Sequence, residues 1–364
     1  MSDLGIYIHV PFCAQKCPYC DFYSGSYTAS AMDAYINALI RNFKAYSESI
    51  CVDTVYFGGG TPSLLNGTQL QYILDELKKS FRLNENAEIT IEANPSTLNF
   101  NKLCEYKSAG VNRLSLGVQS LNSSELEFLG RHHTPERALK AVCDAQKAGF
   151  ENISCDLMIG LPKQTEDEIL SSIKQLASLD ITHFSSYILK IEEGTPFYKN
   201  NISDKLPDDD YVSELYLQMC EMMKSYGYEQ YEISNFAKES YQSRHNNRYW
   251  KCQDYIGIGP AAHSCYNGAR FAVKPDLNDF ISAPKQNVTI TDDNPYTFEE
   301  KAMLRLRLSE GLLLSECGEK ADNIIKKADM LEKSGYISFD GKKIALTSKG
   351  FVVSNSIIEY LIFE

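Results

Sequence analysis

The chain has 364 residues, 43% of them hydrophobic, with a formal net charge of -12. That apolar content supports a packed core and excludes a disordered chain, and the length suits two domains or one large barrel with an appendage. The acidic balance argues against sequence-independent nucleic-acid binding, which needs a basic face.

Strand and helix signals alternate through the first two-thirds. Ile6–Phe12 reads as a strand, and Ser30–Tyr46 as a helix with Met32, Tyr35, Ile36, Leu39, Ile40 and Phe43 on one face. Thr54–Phe57 is a strand ending in Gly58-Gly59-Gly60-Thr61-Pro62, followed by a helix over Thr68–Phe81 with Thr68 as its N-cap. Glu88–Ala93 alternates and stops at Asn94-Pro95, and Asn101–Ala109 is a helix closed by Gly110. Strand Arg113–Gln119 precedes helices Ser123–Leu129 and Thr134–Ala148. Strand Asn152–Ile159 precedes helix Thr165–Leu179, and strand His183–Leu189 precedes helix Asp208–Tyr226.

About six β-α units in a row predict an α/β fold with a parallel sheet and helices outside it. Six is too few to close an eight-stranded barrel. The expectation is a partial (β/α)6 TIM-like barrel whose open side admits a large substrate. Functional residues in such folds gather at the C-terminal ends of the strands, where the marked motifs of this chain fall.

Residues 1–230 are read as this core. Residues 231–295 are read as a connecting region rich in Tyr, Asn, Gly and Ser, carrying His245-Asn246-Asn247-Arg248-Tyr249-Trp250 and punctuated by Pro275, Pro284 and Pro295. Residues 296–364 predict a small C-terminal α+β domain resembling a winged helix. Its helices are Thr297–Leu308 and Ala321–Ser334, followed by a hairpin about Asp340-Gly341. Charges there nearly balance, which favours packing or partner docking over DNA binding.

No Lys or Arg precedes Lys16, the first apolar run is too short for a signal peptide, and no stretch approaches the ~20 apolar residues that span a bilayer. The expectation is a soluble cytoplasmic protein with at most peripheral membrane contact. Of eleven cysteines, eight are scattered without paired spacing, which argues for a reducing compartment.

The other three, Cys13, Cys17 and Cys20, stand at Cys-x3-Cys-x2-Cys spacing just after the first strand. Three thiols fall one short of the four that a closed zinc or cluster site takes, leaving an open coordination position. Structural zinc would need a further ligand, with His9 nearby but on the preceding strand. Three buried structural cysteines would not sit beside Lys16 and Pro18. A [4Fe-4S] cluster with one open iron fits both spacing and position. Gly58–Pro62 is either a tight turn or a backbone edge that a ligand approaches closely. It lacks the Lys-Ser/Thr ending of a P-loop. Glu92, Gln119, Arg131 and Asp156 would each pass alone for a solvated cap. Together they surround one mouth and offer a cation for a carboxylate, acceptors for an ammonium and partners for hydroxyls.

The cysteine spacing after strand one resembles the signature of the radical S-adenosylmethionine superfamily, and Ile6 to about Tyr226 its partial barrel. The resemblance implies that the methionine amino and carboxylate groups chelate the open iron, and that an electron from the cluster cleaves the sulfonium to a 5′-deoxyadenosyl radical. Tyr7-x-His9-x-Pro11-Phe12-Cys13, Glu92-x-Asn94-Pro95, Gly117-Val118-Gln119-Ser120 and the run from Asp156 through Gly160-Leu-Pro162-Lys-Gln164-Thr165 are similar to the oxygen-independent coproporphyrinogen III oxidase branch. That likeness implies adenosylmethionine contacts from Tyr7, Tyr19, Gly59, Gly60, Thr61, Glu92, Gln119, Arg131 and Asp156. Arg131 rests on its spacing, twelve residues after Gln119.

Within that branch the chain departs from the oxidase. Phe22 stands where the oxidase has a further Cys, and a cluster beginning at Cys13 leaves no room for its N-terminal extension. His245-Asn246-x-x-Tyr249-Trp250 is similar to the haem-binding motif of HemW-type haem chaperones. That implies His245 as an axial haem ligand, with Tyr249 and Trp250 lining a porphyrin face; a surface or core histidine in a loop is the bland alternative. His263 is a second candidate at the same mouth, while His132 and His133 read as solvated. The resemblance implies a chaperone that holds a [4Fe-4S] cluster, S-adenosylmethionine and haem, draws on an electron donor, and delivers haem to apo-haemoproteins. No catalytic residue is assigned. The rivals are a coproporphyrinogen III oxidase forming protoporphyrinogen IX, and a plain zinc-binding interaction protein.

Overall fold

The computed structural model describes residues 3–46 and 50–363. Its core is a run of β-α units: β1 (Leu4–Val10), α1 (Ala29–Phe43), β2 (Cys51–Gly59), α2 (Gly67–Ser80), β3 (Arg82–Ala93), α3 (Phe100–Ala109), β4 (Arg113–Gln119), α4 (Pro135–Lys147), β5 (Asn152–Ile159), α5 (Glu166–Ser178), β6 (His183–Ile188) and α6 (Asp209–Ser225). Strands β1 to β6 pair in chain order and are all parallel.

The two faces of this sheet are chemically opposite. Ile6, Ile8, Val10, Val55, Phe57, Ile89, Ile91, Leu114, Leu116, Ile153, Cys155 and Leu157 are buried in one apolar core with the helices. Full burial of each such aliphatic or aromatic side chain contributes roughly 1.5–3 kcal/mol. The alternate positions are polar or glycine and line the barrel interior, where they bond to one another: Tyr56 to Glu92, Ser115 to Asp156, Ser154 to His183. Successive side chains of a strand point to opposite faces. The six strands therefore read apolar outward and polar inward, which reserves the interior for chemistry.

Helix ends follow local rules. Gly110 closes α3 with φ 108°. The N-cap of α2 is Asn66, in a capping box with Gln69, so Thr68 lies inside the first turn rather than at the cap.

Residues 231–295, read from sequence as a connector, add short strands to the sheet. β7 (Glu229–Glu232) and β8 (Asn235–Ala237) extend the sheet antiparallel beyond β6. Between them and the next strand lies a short helix, α7 (Arg244–Trp250). β9 (Tyr255–Ile258) pairs parallel with β1, and β10 (His263–Tyr266), β11 (Ala269–Val273) and β12 (Val288–Asp292) follow antiparallel. The full order is β12-β11-β10-β9-β1-β2-β3-β4-β5-β6-β8-β7, with no closing pair between its ends among the described residues. Strands of three to five residues separated by turns carry no long period, which is why the sequence shows none there.

The C-terminal unit has helices Phe298–Arg305 and Ala321–Lys333 and a three-stranded antiparallel sheet that includes the hairpin about Asp340-Gly341. It fastens to the core through Ser309 N–H to the Tyr231 carbonyl and Ser348 to Gln230. No described helix is long and apolar enough to cross a membrane.

Candidate functional site

A cavity of about 380 Å3 opens at the C-terminal ends of the core strands. Cys13, Cys17, Cys20, Tyr19, Gly59, Gly60, Thr61, Glu92, Gln119, Arg131 and Asp156 all line it, as does Phe22. Residues from four strands and three loops thus meet where the strand-end rule places them.

The cysteine loop is held by backbone. Gly60 and Thr61 donate their N–H groups to the Val10 and Phe12 carbonyls, and Phe197 N–H bonds to the Pro18 carbonyl. Among the described residues, no three His, Cys, Asp or Glu side chains converge to hold a single ion. One zinc needs its sulfurs at ~2.3 Å from one point. Three thiols ringing a cavity suit a cluster, in which each thiolate takes a different iron. Two sulfurs already accept donors: Thr61 Oγ1 at 3.5 Å from Cys13 Sγ, and Arg131 Nη1 at 3.5 Å from Cys17 Sγ. Burial pushes the Cys20 thiol up to about 11, so iron must displace its proton on binding.

The glycine run has a steric reason inside the protein. A Cβ on Gly60 would lie 2.5 Å from the Phe12 carbonyl oxygen, and one on Gly59, at φ 105°, 2.6 Å from the His9 ring. These glycines let β2 approach the start of the cysteine loop while their backbone lines the cavity.

Across the cavity stand two carboxylates and a cation. Tyr56 OH donates to Glu92 Oε1 at 2.8 Å, and Ser115 Oγ donates to Asp156 Oδ1 at 3.1 Å. Burial pushes Glu92 up to about 7 and Asp156 up to about 6, against the hydrogen bonds that hold them down. Arg131 is fixed by Nη2 donating to the Gly117 carbonyl at 2.5 Å, while its buried Nε has no partner among the described residues. A buried guanidinium N–H aimed at no protein acceptor is suited to a ligand carboxylate. Gln119 sits at φ 67°, a left-handed conformation rare for a non-glycine residue, where the register of β4 against β5 shifts.

Ser115 and Tyr187 also line the cavity and were not picked out from sequence. Counting by two from Arg113 and from His183 along their strands would have found both. Other motif residues serve the fold. Asn94 caps the turn Pro95–Thr97, and Gln164 ties Gly160 N–H and the Met158 carbonyl to Glu125. His132 is exposed, as read; His133 is buried against the Val118 carbonyl, contrary to the solvated reading.

Three expectations change. Tyr7 does not line the cavity: it lies deeper in β1, its hydroxyl 3.1 Å from His9 Nδ1 and its ring stacked on Tyr56. His263 is exposed on β10 and is not grouped with His245. His245 is not at a surface or a mouth. It is 0% exposed, with Nδ1 2.9 Å from Thr54 Oγ1 and Nε2 2.9 Å from Tyr249 OH. With both ring nitrogens engaged, this arrangement offers haem iron no ligand there. Trp250 is likewise occupied, with the Arg307 guanidinium 4.7 Å over its ring.

Residues 7–176 match the model of the Radical SAM superfamily, and residues 297–353 that of the HemN C-terminal domain. The haem chaperone HemW of Escherichia coli K12 is 36% identical over all of this chain and 99% of its own length. That of Bacillus subtilis 168 is 35% identical over 96% of this chain and 97% of its own. The chain belongs to the HemW family. A mitochondrial radical S-adenosyl methionine domain-containing protein 1 from Danio rerio is 30% identical, covering all of this chain and 87% of that protein. The E. coli coproporphyrinogen III oxidase HemN superposes with a TM-score of 0.82 at 22% identity, over 99% of this chain and 90% of its own. That likeness establishes the shared partial-barrel fold. Membership of the superfamily implies a [4Fe-4S] cluster and S-adenosylmethionine, and the residues fit both: three thiols on one cavity, Arg131 Nε without a partner, and two carboxylates opposite.

Proposed function

We propose that this chain is a cytoplasmic haem chaperone, which binds haem and passes it to apo-haemoproteins while carrying a [4Fe-4S] cluster and S-adenosylmethionine. The observation that carries this reading is similarity to HemW chaperones along essentially the whole chain, including the C-terminal unit. Cys13, Cys17 and Cys20 would hold the cluster. Arg131 would take the methionine carboxylate, Glu92 the ammonium beside Gly59, Gly60 and Thr61, and Gln119 and Asp156 the ribose, with Tyr19 flanking. When bound, the cluster and its ligand supply one-electron chemistry. The chain's part is to orient the ligand's charged ends and keep them from water. Phe22, at the cavity and 59% exposed, supports the chaperone reading, because it offers no thiol where the oxidase branch has one.

His245 is the proposed haem ligand, in a state where α7 has left the barrel. Haem titration of wild type and His245→Ala, followed by Soret absorbance, tests this. Loss of the band in the variant is expected, and equal band formation in both would overturn the assignment.

A further inference from the structure

The helix α7 is the floor of the barrel beneath the cofactor cavity. Its residues His245, Arg248 and Tyr249, at i, i+3 and i+4, share one face, and that face enters the barrel. Glu88 of β3 accepts the N–H groups of Arg244 and His245 at 3.1 and 3.0 Å. Arg248, 3% exposed, threads past Gly5 to pair with Asp53, donating to the Asp3 and Asp254 carbonyls on the way. A Cβ on Gly5 would lie 2.6 Å from Arg248 Cδ, so that glycine admits the guanidinium.

The floor reaches toward the cavity through stacked rings, His245 lying against both Tyr7, 6.4 Å away, and Tyr56. The His245 ring stacks on the Tyr56 ring, centroids 5.2 Å apart and planes at 27°. The Tyr56 hydroxyl donates to Glu92, alongside the Gly59 backbone N–H. We infer that His245 is a positioning residue for Glu92, acting through Tyr56, so that α7 cannot release His245 to a ligand and support the adenosylmethionine cavity at the same time. The first half stands on the contacts alone. The second half, an antagonism between haem and S-adenosylmethionine, rests on the proposed reading of His245 as haem ligand. The antagonism is reciprocal, as any coupling between two sites must be.

The test measures S-adenosylmethionine affinity by anaerobic equilibrium binding to the cluster-reconstituted full chain, with iron content and circular dichroism reporting an intact fold. Without haem, Tyr56→Phe and His245→Ala each weaken binding by roughly tenfold, the scale of one hydrogen bond to a charged group. The double variant is little worse than either single one, because both break the same path. His245→Phe, which keeps a stacked ring, restores most of the affinity, which a general loss of structure would not allow. Additive losses, or unchanged affinity in folded His245→Ala, would overturn the inference whatever haem does. With haem added, wild type loses affinity and Tyr56→Phe loses little more. Haem that binds through His245 yet leaves wild-type affinity unchanged overturns the antagonism while leaving the chaperone reading intact.

Discussion

Replacing Glu92 with Gln separates stability from binding. The wild-type carboxyl, pushed up to about 7 by burial, starts from an ordinary value of 4.5. A group raised in the folded state contributes stability that is present below its unfolded pKa and lost as pH rises through the folded one. For Glu92 that loss runs from about pH 4.5 to past 7 and is on the order of 3 kcal/mol at pH 8. Gln cannot ionise and keeps an acceptor for the Tyr56 hydroxyl. The ligand-free variant therefore melts several degrees above wild type at pH 8, and close to it at pH 4.5. Binding moves the other way. An ammonium facing Gln loses a charged partner, about 1.5–3 kcal/mol or roughly ten- to hundredfold in affinity. Wild-type affinity tightens from pH 6 to 8 as Glu92 gives up its proton, with Asp156 adding to the slope nearer 6, and Glu92→Gln flattens the upper part. Thermal melts at the two pH values and anaerobic binding of S-adenosylmethionine read both effects. A variant that is destabilised equally at both pH values, or that binds with wild-type affinity, would refute a desolvated carboxylate facing the ligand ammonium.

Two further outcomes follow from packing. Gly60→Ala drives a Cβ into the Phe12 carbonyl, so β2 parts from the cysteine loop and reconstituted iron content falls well below that of wild type, with the rest of the fold retained by circular dichroism. Arg248→Ala strips Asp53 of its buried partner, leaving it the more exposed Arg244, removes a donor from the Asp3 and Asp254 carbonyls, and lowers unfolding stability by about 1.5–3 kcal/mol, read as a lower urea midpoint.

The β-α core is legible because its strands are long enough to show the period of two, and because Gly110 and Gly149 mark helix ends. The cavity follows from the strand-end rule, since Cys13, Glu92, Gln119 and Asp156 each stand at or near a C-terminal strand end. Tyr7 misleads because depth along a strand decides between mouth and interior. It lies a full inward layer below His9, so it meets Tyr56 instead of the cavity. His245 misleads more. Its motif lies in a stretch rich in Tyr, Asn, Gly and Ser with no long period, whereas His245, Arg248 and Tyr249 share the inward face of a helix whose partners, Thr54 and Glu88, are over a hundred and fifty residues away. The Gln119 conformation has no signature in residue type at all.

The most direct measurement of the central proposal is haem handover. Full chain carrying cluster and haem is mixed anaerobically, with S-adenosylmethionine, with an apo-haemoprotein, and the recipient's Soret band is followed. Growth of that band at the expense of the chain's own, with no product formed from coproporphyrinogen III, is the predicted result. Haem that stays on the chain while coproporphyrinogen III is converted to protoporphyrinogen IX at a catalytic rate would contradict it.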